Sequence, residues 1–182
     1  MFLIQLGHIK IRTIPKQEFK TVPEIFLSLY DSEEEQFFVI WKELPIAFNY
    51  KSQLFQNFDA VLSMCWLLRK KESGDAKVQL ENDALTVKLQ LHWSNDQLKI
   101  EAHFDAKEDH FRRYSETLQQ KQPLILSKIN FLREWNTLLR QVMLSIQASG
   151  CTVKDGTERR KLELLQETER NIAGYGKFYH YE

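Results

Sequence analysis

Cysteine and glycine are scarce in this chain, and neither sign of charge predominates. Of its 182 residues, two are cysteines and six are glycines. Two cysteines cannot build a disulfide framework, and neither has a second cysteine at metal-ligand spacing, which fits a reducing compartment. The scattered glycines form no phosphate-binding loop of the dinucleotide or Walker type. These absences weigh against disulfide-stapled proteins and nucleotide-dependent enzymes.

The balance of charge excludes further classes. Lysine plus arginine and aspartate plus glutamate both number 25, so the formal net charge is zero. A nucleic-acid binder usually carries a basic excess, so we expect no nucleic-acid partner. No apolar run approaches the ~20 residues that span a bilayer, and the apolar start of the chain lacks the basic segment of a signal peptide. We therefore expect a cytoplasmic protein without membrane contact.

The clearest pattern that is present runs through residues 77–104. Apolar and polar side chains alternate there with a strict period of two, which is typical of half-buried strands. Asn-Asp pairs at 82–83 and 95–96 interrupt the pattern and suit two-residue turns, because both residue types tolerate positive φ. Two such turns predict an antiparallel meander with all its apolar side chains on one face. The predicted cross-strand pairs are Leu80 with Leu85, Val78 with Val87, Trp93 with Leu98, and Leu91 with Ile100.

Strands are also expected in the N-terminal quarter of the chain. A first strand is predicted over 2–14, with a bulge at Gly7 that keeps apolar residues on both sides of it facing inward. The aromatic and β-branched segment 37–41 predicts a buried strand, and 46–50 predicts an edge strand. Residues 25–30 are compatible with a short helix or a strand.

Elsewhere the apolar period changes to that of a helix. Helices are predicted near 54–71, 107–121, 127–148 and 157–172. The strongest is 127–148, with Ser127 as candidate N-cap and Trp135 on its wide apolar stripe, so we expect it to pack across the sheet. The sequence thus predicts a single α+β domain over 1–182, an antiparallel sheet (the 77–104 meander plus N-terminal strands) packed by helices. The helix and tail at 157–182 either belong to that core or dock on it as an extension.

Four residues have roles that can be assigned from their neighbours alone. Cys65 lies in an apolar run and is predicted to be buried, whereas Cys151 follows a glycine in a polar connection and is predicted to be exposed. Gly74 stands where it could cap the end of the 54–71 helix. Thr157 is the expected N-cap of the last helix.

One group of residues could support metal-binding chemistry. His103 and Asp105 share the polar side of a strand end, and Asp109 or His110 could approach them from the next helix to bind a metal. The same residues also describe a solvated junction between a strand and a helix, which we prefer. We therefore predict no metal, no cofactor and no enzymatic activity.

Two segments are less well explained by folding alone, and the polar face of the meander is a third candidate surface. One segment is a dense acidic turn and the other is an aromatic C-terminal tail. Aromatic residues such as tyrosine are enriched at protein interfaces. The predicted partner-binding residues are Asp31, Glu33, Glu34 and Glu35 in the turn, and Tyr175, Phe178, Tyr179 and Tyr181 in the tail.

These features together favour a small binding protein that acts through its surface. Bacterial immunity proteins, which cover a cognate toxin domain, are similar in general style, although the likeness rests on no motif of this chain. We expect a protein partner such as a toxin domain, and a monomer or weak homodimer. The alternative is a small enzyme or ligand-binding domain with an apolar pocket between sheet and long helix, lined by Trp93, Phe104 and Trp135. A structural subunit or secretion chaperone that dimerises through an apolar helix face is the third hypothesis.

Overall fold

A computed structural model describes the backbone of residues 1–175 and the side chains of residues 1–167. The fold is α+β with antiparallel sheets, as predicted. Its strands are β1 (Phe2–Leu6), β2 (Glu18–Phe19), β3 (Gln36–Trp41), β4 (Leu44–Asn49), β5 (Ser73–Glu81), β6 (Leu85–Ser94), β7 (Gln97–Ala106), β8 (Leu124–Ser127) and β9 (Thr152–Val153). Its helices are α1 (Val22–Leu29), α2 (Ser52–Lys70), α3 (Arg112–Gln119), α4 (Lys128–Ser149) and α5 (Gly156–Tyr175).

The predicted meander forms the larger sheet, in the order β5-β6-β7-β8. Across the turn at 95–96 both predicted pairs are confirmed, Trp93 with Leu98 and Leu91 with Ile100. Across the first turn the predicted pairs are wrong, because Leu80 lies opposite Val87 rather than Leu85. The side chain of Asn82 explains the difference, since its Oδ1 accepts from the amides of Ala84 and Leu85 and closes a wider loop. A shift by two residues keeps every side chain on its predicted face.

The fourth strand of this sheet, β8, is absent from the sequence prediction. It pairs with the first half of β7, from Gln97 opposite Ser127 to Ile100 opposite Leu124. Four residues after a proline carry too little periodicity to indicate a strand. Residues 107–121, predicted as one helix, are instead a 3₁₀ turn over Asp109–Phe111 followed by α3.

The N-terminal strands form a second antiparallel sheet, in the order β1-β3-β4. The strands near 37–41 and 46–50 are confirmed as β3 and the edge strand β4. The first strand is shorter than predicted, and there is no bulge at Gly7, because the β1–β3 pairing ends at Leu6. Gly7 instead donates its amide to the carbonyl of Gln36 at 3.0 Å. A Cβ at this position would lie 2.2 Å from that carbonyl oxygen, so the close approach requires glycine.

Helices α1, α2, α4 and α5 pack together and against the strands of the two antiparallel sheets. Helix α4 contacts β1 and β8, and α2 contacts β4 and β5, while α1 and α5 pack against α4 and α2 from the other side. Ser127 caps α4 as predicted, with its Oγ accepting from the amide of Asn130, and Gly150 ends the helix in a left-handed conformation with φ of 68°. The segment 25–30, which the sequence left open between helix and strand, is helical as far as Leu29, and helix α1 starts with a capping box between Thr21 and Glu24.

Three of the single-residue predictions are wrong. Gly74 does not cap α2 but lies in β5 against the ring of Trp93, where a Cβ would sit 2.9 Å from the indole. Thr157 does not cap α5, because the carboxylate of Asp155 already accepts from the amides at 157 and 158. Cys151 is buried, next to the short parallel pair of β9 with β2, a pair that the sequence did not indicate.

One continuous core joins the two sheets and the helices. It includes Cys65, which is buried as predicted, and Leu165 of α5. Trp41 of the smaller sheet meets Phe104 of the larger one edge to face, with ring centroids 5.5 Å apart. The start of α5 is tied in by the carboxylate of Glu158, which accepts from the amide of Val22 at 2.8 Å. In residues 1–175, none of the helices combines the length and the apolar character that a membrane crossing requires.

Candidate functional site

The outer face of the larger sheet carries a groove of about 710 Å³. Its floor is made by the middle of β5, β6 and β7, and its wall by the end of α3 and the segment that follows it. Eight of the twelve residues that line it have polar side chains, namely Lys77, Gln79, Lys88, Gln90, Glu101, His103, Gln119 and Gln122. The six of these that belong to strands are exposed, because they alternate with the buried apolar residues beneath them. The groove therefore presents charged and amide groups on a sheet of fixed geometry.

The wall of the groove is held by side chains that replace a missing strand. Strand β8 pairs with β7 only as far as Ile100, so Ala102 and Phe104 have no strand partner on the side of β7 that faces away from β6. The amide of Ala102 donates to Gln122 Oε1 at 2.5 Å, and the amide of Phe104 donates to Gln119 Oε1 at 3.1 Å. These bonds anchor α3 beside the sheet edge and make the groove a preformed feature.

Ion pairs fix several charges on this face. The carboxylate of Asp105 lies 2.8 Å from both Lys88 Nζ and His103 Nε2, and the hydrogen bond from Lys88 lowers the pKa of Asp105. Lys99 lies 2.6 Å from Glu101 and lowers the pKa of that carboxyl in the same way. All of these groups are solvent-exposed, so the pairs set the orientation of the side chains more than they stabilise the fold.

The metal site that the sequence suggested is, in the structure, an ion pair between His103 and Asp105. His103 and Asp105 do meet, but within the described side chains no third histidine, cysteine or carboxylate joins a group that could hold a metal ion. Asp109 bonds Arg112, and His110 lies against Glu108. The lysine that shares the carboxylate of Asp105 is the partner of a salt bridge rather than a ligand.

The acidic turn divides into structural and exposed residues. Glu35 is buried, and its carboxylate accepts from the amides of Lys10 at 2.8 Å and Asp31 at 3.2 Å. Asp31 pairs with Arg12. Glu33 and Glu34 are exposed, although Glu33 accepts a bond from Ser52. Of the four residues predicted to bind a partner here, Glu33 and Glu34 thus remain the accessible pair.

The aromatic tail lies almost wholly beyond the part of the chain that the structure describes. Tyr175 is the last residue of α5, and nothing is described of its side chain. Phe178, Tyr179 and Tyr181 fall outside the described residues. Their predicted role in partner binding stays a prediction.

The apolar pocket of the alternative hypothesis involves residues that belong to the core. Trp93, Phe104 and Trp135 are each buried to within 5% of full burial and belong to one hydrophobic cluster. A second groove, of about 490 Å³, lies instead between α2 and α5, where Trp66 is 43% exposed. Lys161 bridges this groove's edge, with its ammonium 2.8 Å from Asp59.

Neither cysteine offers a nucleophile. Burial raises the pKa of the Cys65 thiol to about 12, so that it stays protonated at neutral pH. Comparison with protein-family models, with curated proteins and with solved structures finds no match for this chain.

The sequence prediction included the polar sheet face but missed the wall of the groove. Gln119 and Gln122 lie 15 to 20 residues from the backbone groups that they satisfy. No local pattern marks a glutamine that bonds a distant strand edge, so only the three-dimensional packing brings these residues to the site.

Proposed function

We propose that this protein acts by binding a partner protein through the outer face of the larger sheet. The observation that carries the proposal is the preformed polar groove on that face. Strands β5, β6 and β7 hold 9, 10 and 10 residues. At ~4.8 Å between strands and ~3.4 Å per residue they present a face of about 14 Å by 34 Å. This area of about 480 Å² is a little over half of the ~800 Å² that each partner contributes to a stable complex, and the wall of the groove adds to it.

The chemistry of the groove suits a protein surface. Its exposed groups include both signs of charge, from Lys77 and Lys88 to Glu101, together with the side chains of Gln79 and Gln90, which can donate and accept hydrogen bonds. Such a mixture of charge and amide groups gives specificity and orientation to a protein complex. The rigid strands below hold these groups in place, so little conformational entropy is lost when they are covered.

The form of action that we favour is inhibition by coverage, in the manner of an immunity protein that blocks a toxin domain. An inhibitor of this kind needs a stable scaffold and a surface that does not rearrange on binding. The groove meets that need, because its wall is tied to β7 by the glutamine side chains at 119 and 122.

The experiment compares three versions of the chain as bait in an extract of the organism that encodes it. The first is the wild type. The second, Gln90→Arg with His103→Arg, fills the groove with long cationic side chains that face Glu101 and Asp105, so the fold should be kept. The third, Glu33→Lys with Glu34→Lys, changes the other accessible surface and leaves the buried Glu35 intact.

The proposal predicts one protein that wild type and the acidic-turn variant capture equally, and that the groove variant captures at least about tenfold less. Equal capture by all three versions would remove the groove from consideration. Loss with the acidic-turn variant alone would move the interface to that turn. A small molecule that co-purifies with the wild type, in place of a protein, would favour the ligand-binding alternative.

A further inference from the structure

The larger sheet ends on one side in a long edge strand. Strand β5 is nine residues long, and within the described chain it pairs with β6 alone. An edge strand exposes backbone donors and acceptors in a row, and these can pair with another strand. The residues that matter are those of β5 whose backbone groups point away from β6.

Hydrogen bonds at one end of β5 show which residues these are. Both backbone groups of Glu81 are bonded to the side chain of Asn57, the amide at 2.7 Å and the carbonyl at 2.7 Å. Glu81 therefore turns its backbone away from β6, and by the antiparallel alternation so do the residues at 79, 77 and 75. Among the described residues, no hydrogen-bond partner is found for the outward backbone groups of Asp75, Lys77 and Gln79.

The side chains along this edge are accessible as well. Asp75, Lys77 and Gln79 are all exposed on the outer face of the sheet. Asp75 keeps 76% of its side chain exposed although it lies 3.3 Å from His92. The inner face of the same stretch carries Gly74, Ala76 and Val78, and helix α2 packs against this strand, so the outer face and the outward backbone groups are the accessible part of the edge.

One antiparallel register pairs unlike charges at the residues of β5 whose outward backbone groups are free. A two-fold axis at Ala76 places Asp75 of one copy opposite Lys77 of the other, twice, and Ser73 opposite Gln79. A shift of the axis to Lys77 puts two lysines opposite each other. A shift to Val78 puts Asp75 opposite Glu81. A shift to Gln79 would pair Lys77 with Glu81, but both backbone groups of Glu81 are already bonded to Asn57. Directly opposed unlike charges stabilise a strand pair and like charges destabilise it, so the axis at Ala76 is the register that the free residues of the edge favour.

We propose that two copies of this chain associate edge to edge through β5, in the register centred on Ala76. The two four-stranded sheets then form one continuous sheet, and the outward backbone groups at 75, 77 and 79 find partners. This inference rests on the β5 edge alone and holds whether or not the groove binds a partner protein.

The test is sedimentation-velocity ultracentrifugation of the full-length protein over a wide range of concentration. Asp75→Lys and Lys77→Asp should each weaken the dimer by roughly tenfold, because each places like charges opposite each other twice. The double exchange, Asp75→Lys with Lys77→Asp, restores both pairs and should return the dimer to near wild-type strength. Gln79→Pro removes one outward amide without touching the ladder to β6, and should also weaken the dimer.

Thermal melting of each variant shows whether the monomer fold is kept, and the double exchange is the control for folding defects in either single variant. A wild type that stays monomeric at every concentration would overturn the proposal. So would a dimer that none of the four variants affects, or one that the double exchange fails to restore.

Discussion

Two tyrosines in the core illustrate how a single residue can be buried without a complete set of polar contacts. Tyr30 and Tyr50 are fully buried with ring centroids 5.3 Å apart, and among the described residues the hydroxyl of Tyr50 has no hydrogen-bond partner. A buried hydroxyl without a partner carries its desolvation cost uncompensated. Both rings pack against other aromatic residues, so their contribution to stability comes from the ring.

Removal of the Tyr50 hydroxyl should therefore cost little. We expect Tyr50→Phe to leave the free energy of unfolding unchanged or to raise it by up to ~1 kcal/mol. The matched control is Tyr114→Phe, because the hydroxyl of Tyr114 donates to the carbonyl of Pro45 and its loss should cost ~0.5–1.5 kcal/mol. Urea denaturation of both variants measures the difference, and a Tyr50 variant as destabilised as the Tyr114 variant would contradict this account.

The same two residues predict how stability depends on pH. Desolvation raises the pKa of Tyr30 to about 12 and raises that of Tyr50 also. The unfolded chain loses these protons near pH 10 while the folded chain keeps them, so stability must fall as the pH rises above ~10. Denaturation at pH 8 and pH 11 should show a loss that is smaller in Tyr50→Phe than in wild type. An equal loss in both proteins would show that Tyr50 does not contribute.

At the scale of the elements, the pairing of β1 with β3 ends where a glycine permits close contact. Gly7 donates to Gln36, and the position that a Cβ would take is blocked by that residue's carbonyl oxygen. The obstacle is backbone, which cannot move aside like a flexible side chain. The chain therefore needs glycine here for steric reasons rather than for a bulge.

Replacement of this glycine should disturb the end of the smaller sheet. We expect Gly7→Ala to lower the free energy of unfolding by ~1–3 kcal/mol, the usual cost of a forced backbone shift. Gly156→Ala is the matched control, because a Cβ there meets nothing within 4 Å at the start of α5, and it should be neutral or stabilising by up to ~1 kcal/mol. Equal melting temperatures for the two variants would refute the steric argument.

The elements that the sequence could predict are those with a repeated pattern. The strands at 85–94 and 97–106, and the helix at 128–149, follow from apolar period, turn residues and caps within reach of one another. The length of the first turn could not be predicted, because it depends on the hydrogen bonds that the Asn82 side chain accepts from the amides of Ala84 and Leu85. The short strands β8 and β9 depend on partners far along the chain and leave no local pattern.

For the molecule as a whole, the candidate site could be predicted in part. The alternation in β5–β7 fixes which side chains point outward, and hence the floor of the groove. The wall depends on the distant glutamines of α3 and its following segment, and the loss of Glu35 from the acidic surface depends on backbone amides at 10 and 31. Both are tertiary contacts that sequence spacing does not encode.

One lysine lies on the outer sheet face and another lies beside the acidic turn. The reactivity of each lysine reports whether the surface around it is accessible. Lys88 is exposed in the groove, and Lys10 keeps 78% of its side chain exposed at 3.9 Å from Asp31 of the turn. A partner that covers the groove shields the first ammonium and leaves the second open. The two lysines therefore distinguish the two surfaces within one sample.

The most direct test is acetylation of the lysines in the captured complex, read by mass spectrometry against the free protein. If the outer face of the larger sheet is the binding surface, acetylation of Lys88 should fall several-fold in the complex while that of Lys10 stays the same. Acetylation of Lys88 that is equal in the complex and in the free protein would contradict the account.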